Sequence, residues 1–314
     1  MKILLIRNDN LGDLICTTPA IEALRKKYPD ARIDIVVNTY NIAGIYKNPF
    51  VNNVYFYTKP KHKKGFKDKI SAFLHKSMMM MELARVGYDV VVVFRSGYSK
   101  SATLLAKITK APKKIGVKNP KGKDPFTDHI VPQMGKHEVE FCYECLEPLG
   151  VENSGEKTLI IPKEELGKLF LDYKDRVVFH ISSRVKENRL SKGAIEEIIK
   201  ELKNPLITYE PNDKELAKSL GVELASTRSV DELIALLSLS SCVVTLDGGV
   251  VHIAPALGKP TVAIFGKDNI SKWYPWGYKE FTLHTKDEEL AEKVAENLVE
   301  LEKLQKYKIV DKGF

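Results

Sequence analysis

Residues 243–266 read VVTLDGGVVHIAPALGKPTVAIFG, and the order of residue types in that stretch decides the fold. The β-branched run over residues 242–246 predicts a strand, Asp247-Gly248-Gly249 a tight turn, the next residues a short helix, and residues 261–265 a second strand. Strand, turn, helix and strand in that order make half of a parallel α/β unit. Glycine has no Cβ, so a ligand can approach the amides of Gly248 and Gly249 closely, and the helix behind them adds the positive end of its dipole. Together they predict an anion site, most naturally for a diphosphate. Pro255 removes one helical hydrogen bond, which kinks or shortens the helix.

Outward from this motif the alternation repeats. Residues 2–7, 32–37, 54–57, 89–94 and 114–117 read as strands, with helices expected at 17–27, 67–85, 99–108 and 137–149. The periodicity lapses over residues 151–165 (VENSGEKTLIIPKEE), and a second series opens at 176–181. It continues with a helix at 192–202, a strand at 206–209, helices at 213–220 and 230–239, the motif itself, and a last helix from 287 to about 306. The expected fold class is α/β, with mostly parallel sheets covered on both faces. A chain of 314 residues is too long for one ordinary core. Two domains are expected, 1–160 and 161–314.

Composition narrows the function classes. No apolar run approaches the ~20 residues needed to cross a bilayer. The opening MKILLIRND turns polar after residues 3–6, as a buried first strand does and a signal peptide does not, so a cytoplasmic location is expected. The four cysteines are Cys16, Cys142, Cys145 and Cys242. Cys142 and Cys145 form a C-x-x-C in a helical stretch with no second Cys/His pair nearby, which favours apolar packing over metal or redox chemistry. Charge is uneven: residues 1–150 hold 25 Lys+Arg against 14 Asp+Glu, a net of +11, while residues 151–314 hold 24 against 27, a net of −3. The lysines concentrate in residues 59–76 and 107–123, either as a solvated face or as a surface for phosphates and carboxylates. Only Phe66 and Phe73 are interleaved with them, too few for a base-stacking platform, so nucleic acid is not an expected partner.

An Asp, two small residues, a His three further on and a closing Gly258-x-Pro260-x-x-x-x-Phe265-Gly266 resemble the donor signature of glycosyltransferase family 9, whose best known members are the ADP-heptose:lipopolysaccharide heptosyltransferases. The resemblance extends to Ile6-Arg7-Asn8-Asp9-Asn10-Leu11-Gly12-Asp13, to Thr18-Pro19-Ala20-Ile21 with Ala23-Leu24-Arg25, and to Trp273-Tyr274-Pro275-Trp276-Gly277. It implies a GT-B architecture: two Rossmann-like domains facing across a cleft, the first for acceptor and the second for nucleotide sugar, with the last helix able to cross back onto the first domain. The implied activity is inverting, metal-independent transfer of heptose from ADP-heptose to the lipopolysaccharide inner core, without a cofactor. An anionic core at the cytoplasmic face of the inner membrane accounts for the basic half and implies peripheral contact with that membrane. Another nucleotide sugar or surface-glycan acceptor, a nucleotide-sugar epimerase or hydrolase on the same architecture, and a binding protein without turnover stay open.

Such a transfer needs a base for the incoming hydroxyl and a means of stabilising the departing diphosphate. Asp13 is expected in the loop after the first strand, at the carboxyl end of a parallel sheet, and it matches the family's catalytic Asp. Capping the helix beginning near Leu14 is the alternative duty, compatible with the first. Gly12, Lys61 and Lys64 are acceptor-side candidates. On the donor side stand Asp247, Gly248 and Gly249, with His252 one helical turn behind. Ser182 and Ser183 match a small-residue loop that receives donor phosphate in relatives. Where relatives carry a Lys-Arg/His-Trp-Pro run, this chain reads Asn188-Arg189-Leu190-Ser191, so Arg189 is the candidate cation, with Lys186 and Lys192 as alternatives. Gly248 stands where relatives have Ser or Thr. Glu215 is either a ribose ligand or an exposed helix carboxylate. Trp273 and Trp276 either wall the cleft or pack structurally. No Asp-x-Asp placement marks a metal site.

Overall fold

A computed structural model describes residues 1–59 and 65–310. The chain divides into two compact units, residues 1–161 and 162–314. The first unit runs β1 (Lys2–Ile6), α1 (Leu11–Lys27), β2 (Arg32–Asn38), β3 (Asn53–Tyr57), α2 (Phe66–Val86), β4 (Val90–Val93), α3 (Lys100–Ile108), β5 (Lys113–Val117), β6 (Asp128–Ile130) and α4 (Glu138–Glu144). Its strands form one parallel sheet in the order β3-β2-β1-β4-β5-β6. The central strands are apolar without alternation, because a sheet covered on both faces buries every residue: Ile3 to Ile6 are fully buried, and Val90 to Val93 are nearly so.

The second unit repeats the plan. It contains α5 (Glu164–Gly167), β7 (Val177–His180), α6 (Lys192–Glu201), β8 (Pro205–Thr208), α7 (Lys214–Lys218), β9 (Leu224–Ala225), α8 (Val230–Leu239), β10 (Cys242–Leu246), α9 (Val250–Ala256), β11 (Thr261–Phe265), α10 (Ile270–Trp273), β12 (Thr282–His284) and α11 (Leu290–Val310). The parallel sheet is ordered β9-β8-β7-β10-β11-β12. Numbered within its own unit, that is the same doubly wound order as the first sheet. Strand order therefore reverses twice, between β1 and β4 and between β7 and β10. Such switch points open a crevice beyond the strands' carboxyl ends, where ligands bind in this class of sheet. The last helix, for which a crossing to the first domain was an expectation, packs against α6, β11 and β12 of the second unit, where Val294, Leu298 and Leu301 join the core.

Two local differences from the sequence reading bear on the site. Helix α1 begins at Leu11 rather than Thr17, because Leu11, Leu14 and Ile15 all find buried positions under the first turns. Asp13 is thus helical, in the first turn, and the cap position belongs to Asn10. Pro19 sits inside this helix without breaking it. Proline has no N–H to give the carbonyl four residues back. The Thr18 hydroxyl replaces that donor, bonding the Ile15 carbonyl at 2.7 Å while accepting the Leu159 amide at 2.9 Å. The helix expected over 137–149 is divided into α4 and a single 3₁₀ turn, Glu147–Leu149, with Pro148 in it. Helix α4 starts on a capping box: the His137 side chain accepts the Val139 amide, and Glu140 accepts that of His137.

Candidate functional site

At the first switch point the residue after β1 is Arg7, which is completely buried. Its guanidinium donates to the Phe94 carbonyl just past β4, and through Nη2 to Asp13 Oδ1 at 2.9 Å and Glu138 Oε1 at 2.6 Å. Its Nε stands 3.1 Å from Asp9 Oδ1, and Arg95 Nη1 reaches Asp9 Oδ2 at 3.3 Å. A buried charge persists only when paired and hydrogen-bonded. Burial pulls the Arg7 guanidinium down, but the surrounding carboxylates outweigh it and hold its pKa well above the ordinary value. For Asp9, burial pushes the carboxyl up to about 6, against the opposing pull of Arg7 and Arg95 and with a further push from Asp13. Asp13 keeps 14% of its side chain exposed, so this carboxylate is both oriented by Arg7 and reachable from solvent. Gly12, beside it, is buried within α1. Neither Arg7 nor Glu138 was among the expected site residues. Their contact joins positions 131 residues apart, which no local pattern reveals.

Around this cluster lie three of the cysteines. Cys16, Cys142 and Cys145 are fully buried and unpaired by any disulfide. Burial pushes the Cys142 thiol up to about 12, and its Sγ lies 3.5 Å from the Thr17 hydroxyl. Among the described residues no group of three or more His, Cys, Asp or Glu is placed to hold a metal ion.

The second switch point carries the Asp247-Gly248-Gly249 turn. Gly249 has φ −61° and ψ −32°, an ordinary helical conformation, so backbone freedom is not why glycine stands there. Nor is packing the reason: a Cβ on Gly249 would meet nothing within 4 Å, and one on Gly248 only the Leu246 carbonyl at 3.9 Å. Among the described residues their amides donate to no protein carbonyl. The turn therefore presents bare N–H groups on an open face, as an anion site requires. Helix α9 behind it is only seven residues long and contains Pro255.

Asn188 holds the turn from beneath. Completely buried, it donates from Nδ2 to Asp247 Oδ2 at 2.8 Å and accepts the Gly266 amide on Oδ1 at 2.9 Å, so one side chain ties together the loops after β7, β10 and β11. Burial raises the Asp247 carboxyl, opposed by hydrogen bonds from Asn188 and Asn269 and by the charge of Lys267. Ser183 donates its hydroxyl to the Asp247 carbonyl at 2.8 Å, and Ser182 accepts the Glu210 amide at 2.8 Å, so both expected phosphate donors are buried in the loop framework. Arg189 Nε donates to the Ser183 carbonyl at 2.9 Å, and its Nη1 lies 4.0 Å from Asp213 with nearly half the side chain exposed. Beneath this loop His180 is buried and bonded through Nδ1 to the Thr208 hydroxyl at 2.9 Å; burial lowers its pKa to about 4, against the pull of Asp213, which leaves the ring neutral.

The other expected residues are more scattered. His252 is nearly buried and meets Trp273 edge-on at 5.8 Å, while Trp276 stacks on Tyr274 at 6.1 Å. Glu215 is exposed on α7 and paired with Lys218 at 2.9 Å, which lowers its pKa. Lys192 faces Glu196 at 3.5 Å. Lys61 and Lys64 lie outside the described residues. Lys267, just beyond β11, is a cation the sequence did not single out; it is half exposed and 3.9 Å from Glu187.

Gly266 gives the framework a sharp test. A Cβ there would fall 1.7 Å from the Glu187 carbonyl oxygen and 2.9 Å from Asn188 Cα, both backbone atoms. Gly266→Ala is expected to lower stability by about 1–3 kcal/mol or more and to weaken nucleotide binding, because the 187–188 loop must move. Gly249→Val, on the open face, should melt like wild type yet lose nucleotide affinity. Thermal melts with and without ADP read both, and an unchanged melt for Gly266→Ala would contradict this packing.

The glycosyltransferase family 9 (heptosyltransferase) profile matches residues 208–303. Lipopolysaccharide heptosyltransferase 3 of Escherichia coli K12 is 28% identical over 291 residues, which cover 84% of this chain and 82% of that protein. Among solved structures, the family 9 glycosyl transferase from Veillonella parvula superposes with a TM-score of 0.75 at 22% identity, covering 90% of this chain and 85% of that one. The Escherichia coli heptosyltransferase WaaC with ADP gives 0.75 at 19% identity over 96% of this chain and all of that one. These two likenesses show the fold, which is of the GT-B class.

Proposed function

We propose that the chain is a family 9 glycosyltransferase that moves heptose from ADP-heptose to the inner core of lipopolysaccharide, a reading supported by the family profile over residues 208–303 and by the Escherichia coli relative. The observation that carries the donor half is the open Gly248-Gly249 turn: bare amides stand at a switch point with Arg189 and Lys267 as the nearby exposed cations. ADP as the nucleotide is supported by its presence in the WaaC structure, and heptose and lipopolysaccharide by the likeness to the Escherichia coli lipopolysaccharide heptosyltransferase 3.

In the proposed step the Asp13 carboxylate takes the proton of the acceptor hydroxyl, and the oxygen attacks the anomeric carbon. The bond from that carbon to the diphosphate breaks, and ADP leaves with its charge on the amides and cations of the second unit. One displacement inverts the anomeric configuration. No step draws on a metal. Arg7 holds the Asp13 carboxylate in place through Nη2, and it is a positioning residue.

The test is an assay of purified chain with ADP-heptose and lipopolysaccharide lacking its terminal core heptose. The expected result is an acceptor heavier by one heptose, with turnover undiminished in EDTA and no donor consumed when acceptor is left out. Donor consumption without acceptor would turn the assignment to an epimerase or hydrolase. Activity dependent on added Mg²⁺ would overturn the metal-free step.

A further inference from the structure

Helix α2 carries two apolar faces. One carries the buried Ala72, Met79 and Leu83, of which Met79 and Leu83 join Tyr57, Val91 and Val93 in the first unit's core. On the opposite side Ile70, Phe73, Leu74, Met78 and Met81 are between 45% and 65% exposed. Their spacings of three, four and seven residues place them on a single stripe along the helix. Core packing accounts for the first face and not for the second, and an exposed apolar stripe of this length marks a contact surface.

The charge around it indicates what it contacts. Lys67 and Arg85 lie on the stripe's side of the helix at its two ends, and both are exposed. Within α2 itself the sequence holds four Lys+Arg against two Asp+Glu. A stripe of large apolar side chains with a cation at each end suits a helix that lies in the plane of an anionic bilayer, its apolar side among the acyl chains and its cations at the headgroups. No helix among the described residues is long and apolar enough to cross a membrane. We propose that the outer face of α2 is a membrane-docking surface for anionic lipid, through Phe73, Leu74, Met78 and Met81. It deepens the acceptor side of the function proposed above and rests on it, since a lipopolysaccharide acceptor is anchored in a bilayer.

The experiment is co-sedimentation of the full chain with vesicles of phosphatidylcholine, with and without phosphatidylglycerol. Wild type is expected to pellet with the phosphatidylglycerol vesicles, and less as salt rises. The double variant Phe73→Ser/Met78→Ser removes only exposed side chains, so it should keep the wild-type melting temperature while binding about tenfold more weakly. It should also keep wild-type transfer to a deacylated, water-soluble acceptor. Wild type remaining in the supernatant with both vesicle types overturns the proposal. So does a wild-type dimer in sedimentation velocity that the double variant converts to monomer, which assigns the stripe to a second copy of the chain. Vesicle binding without sugar transfer would leave the surface standing and remove the heptosyltransferase reading, whereas transfer to soluble acceptor without vesicle binding would do the reverse.

Discussion

Asp13→Asn is expected to lower turnover by about 10²–10⁴-fold while leaving ADP binding intact. The prediction is specific because asparagine preserves what is structural about the position. Its Oδ1 can still accept from Arg7 Nη2, the bond that now measures 2.9 Å, and the helix begins at Leu11 with or without a charge at 13. What disappears is the ability to take a proton. Asp9, the neighbouring carboxyl, is no substitute, because it is already paired to Arg7 and Arg95. Steady-state rates with ADP-heptose and acceptor, together with the shift in melting temperature caused by ADP, separate chemistry from binding. Wild-type turnover in the variant would strip Asp13 of the base role.

Arg7→Met should produce the largest loss of stability from any single substitution in the first unit. Methionine fills similar space but leaves Asp9, Asp13 and Glu138 gathered without the guanidinium that they share. Removing one partner from a buried ionic cluster costs about 3–5 kcal/mol, which for a unit of this size is a fall of roughly 6–20 °C in melting temperature. The pH dependence identifies the cause. Arg7 is one of the charges that hold the Asp9 carboxyl down, so in the variant it rises beyond its present value of about 6. A carboxyl raised in the folded state adds stability below its unfolded value, near ~3.9, and loses it as pH climbs through the folded one. The gap between variant and wild type therefore widens as pH climbs from about 6 toward the variant's higher value, and it is constant below about 6. Melts across that range measure it, and a gap independent of pH would mean that lost packing, not stranded charge, is responsible.

The parallel sheets were legible in the chain because their central strands have no polar side: β10 and β11 fall at the positions expected from Cys242 to Leu246 and from Thr261 to Phe265. The strands that escaped notice, β6, β9 and β12, are edge strands of two or three residues, too short for any periodicity to register. The start of α1 was hidden for a different reason: the burial of Leu11, Leu14 and Ile15, which carries the helix back to Leu11 despite Gly12, is a tertiary effect. In the proposed site, the glycines and acids assigned to ligand form recognisable words in the sequence. The residues that hold them do not. Asn188 stood out only as part of the run that departs from the relatives' Lys-Arg/His-Trp-Pro, and Glu138 did not stand out at all, because their roles depend on partners dozens of residues away.

The burial of Cys16, Cys142, Cys145 and Cys242 has a practical consequence. A maleimide dye or spin label added to the native chain finds no reactive sulfur at the surface, since every thiol is enclosed and those of Cys142 and Cys242 are pushed up to about 12 by that enclosure. The wild-type sequence is thus already the silent background that labelling work usually has to engineer. One cysteine placed at Ser77, midway along the outward stripe of α2, would report polarity and immersion depth at that spot alone.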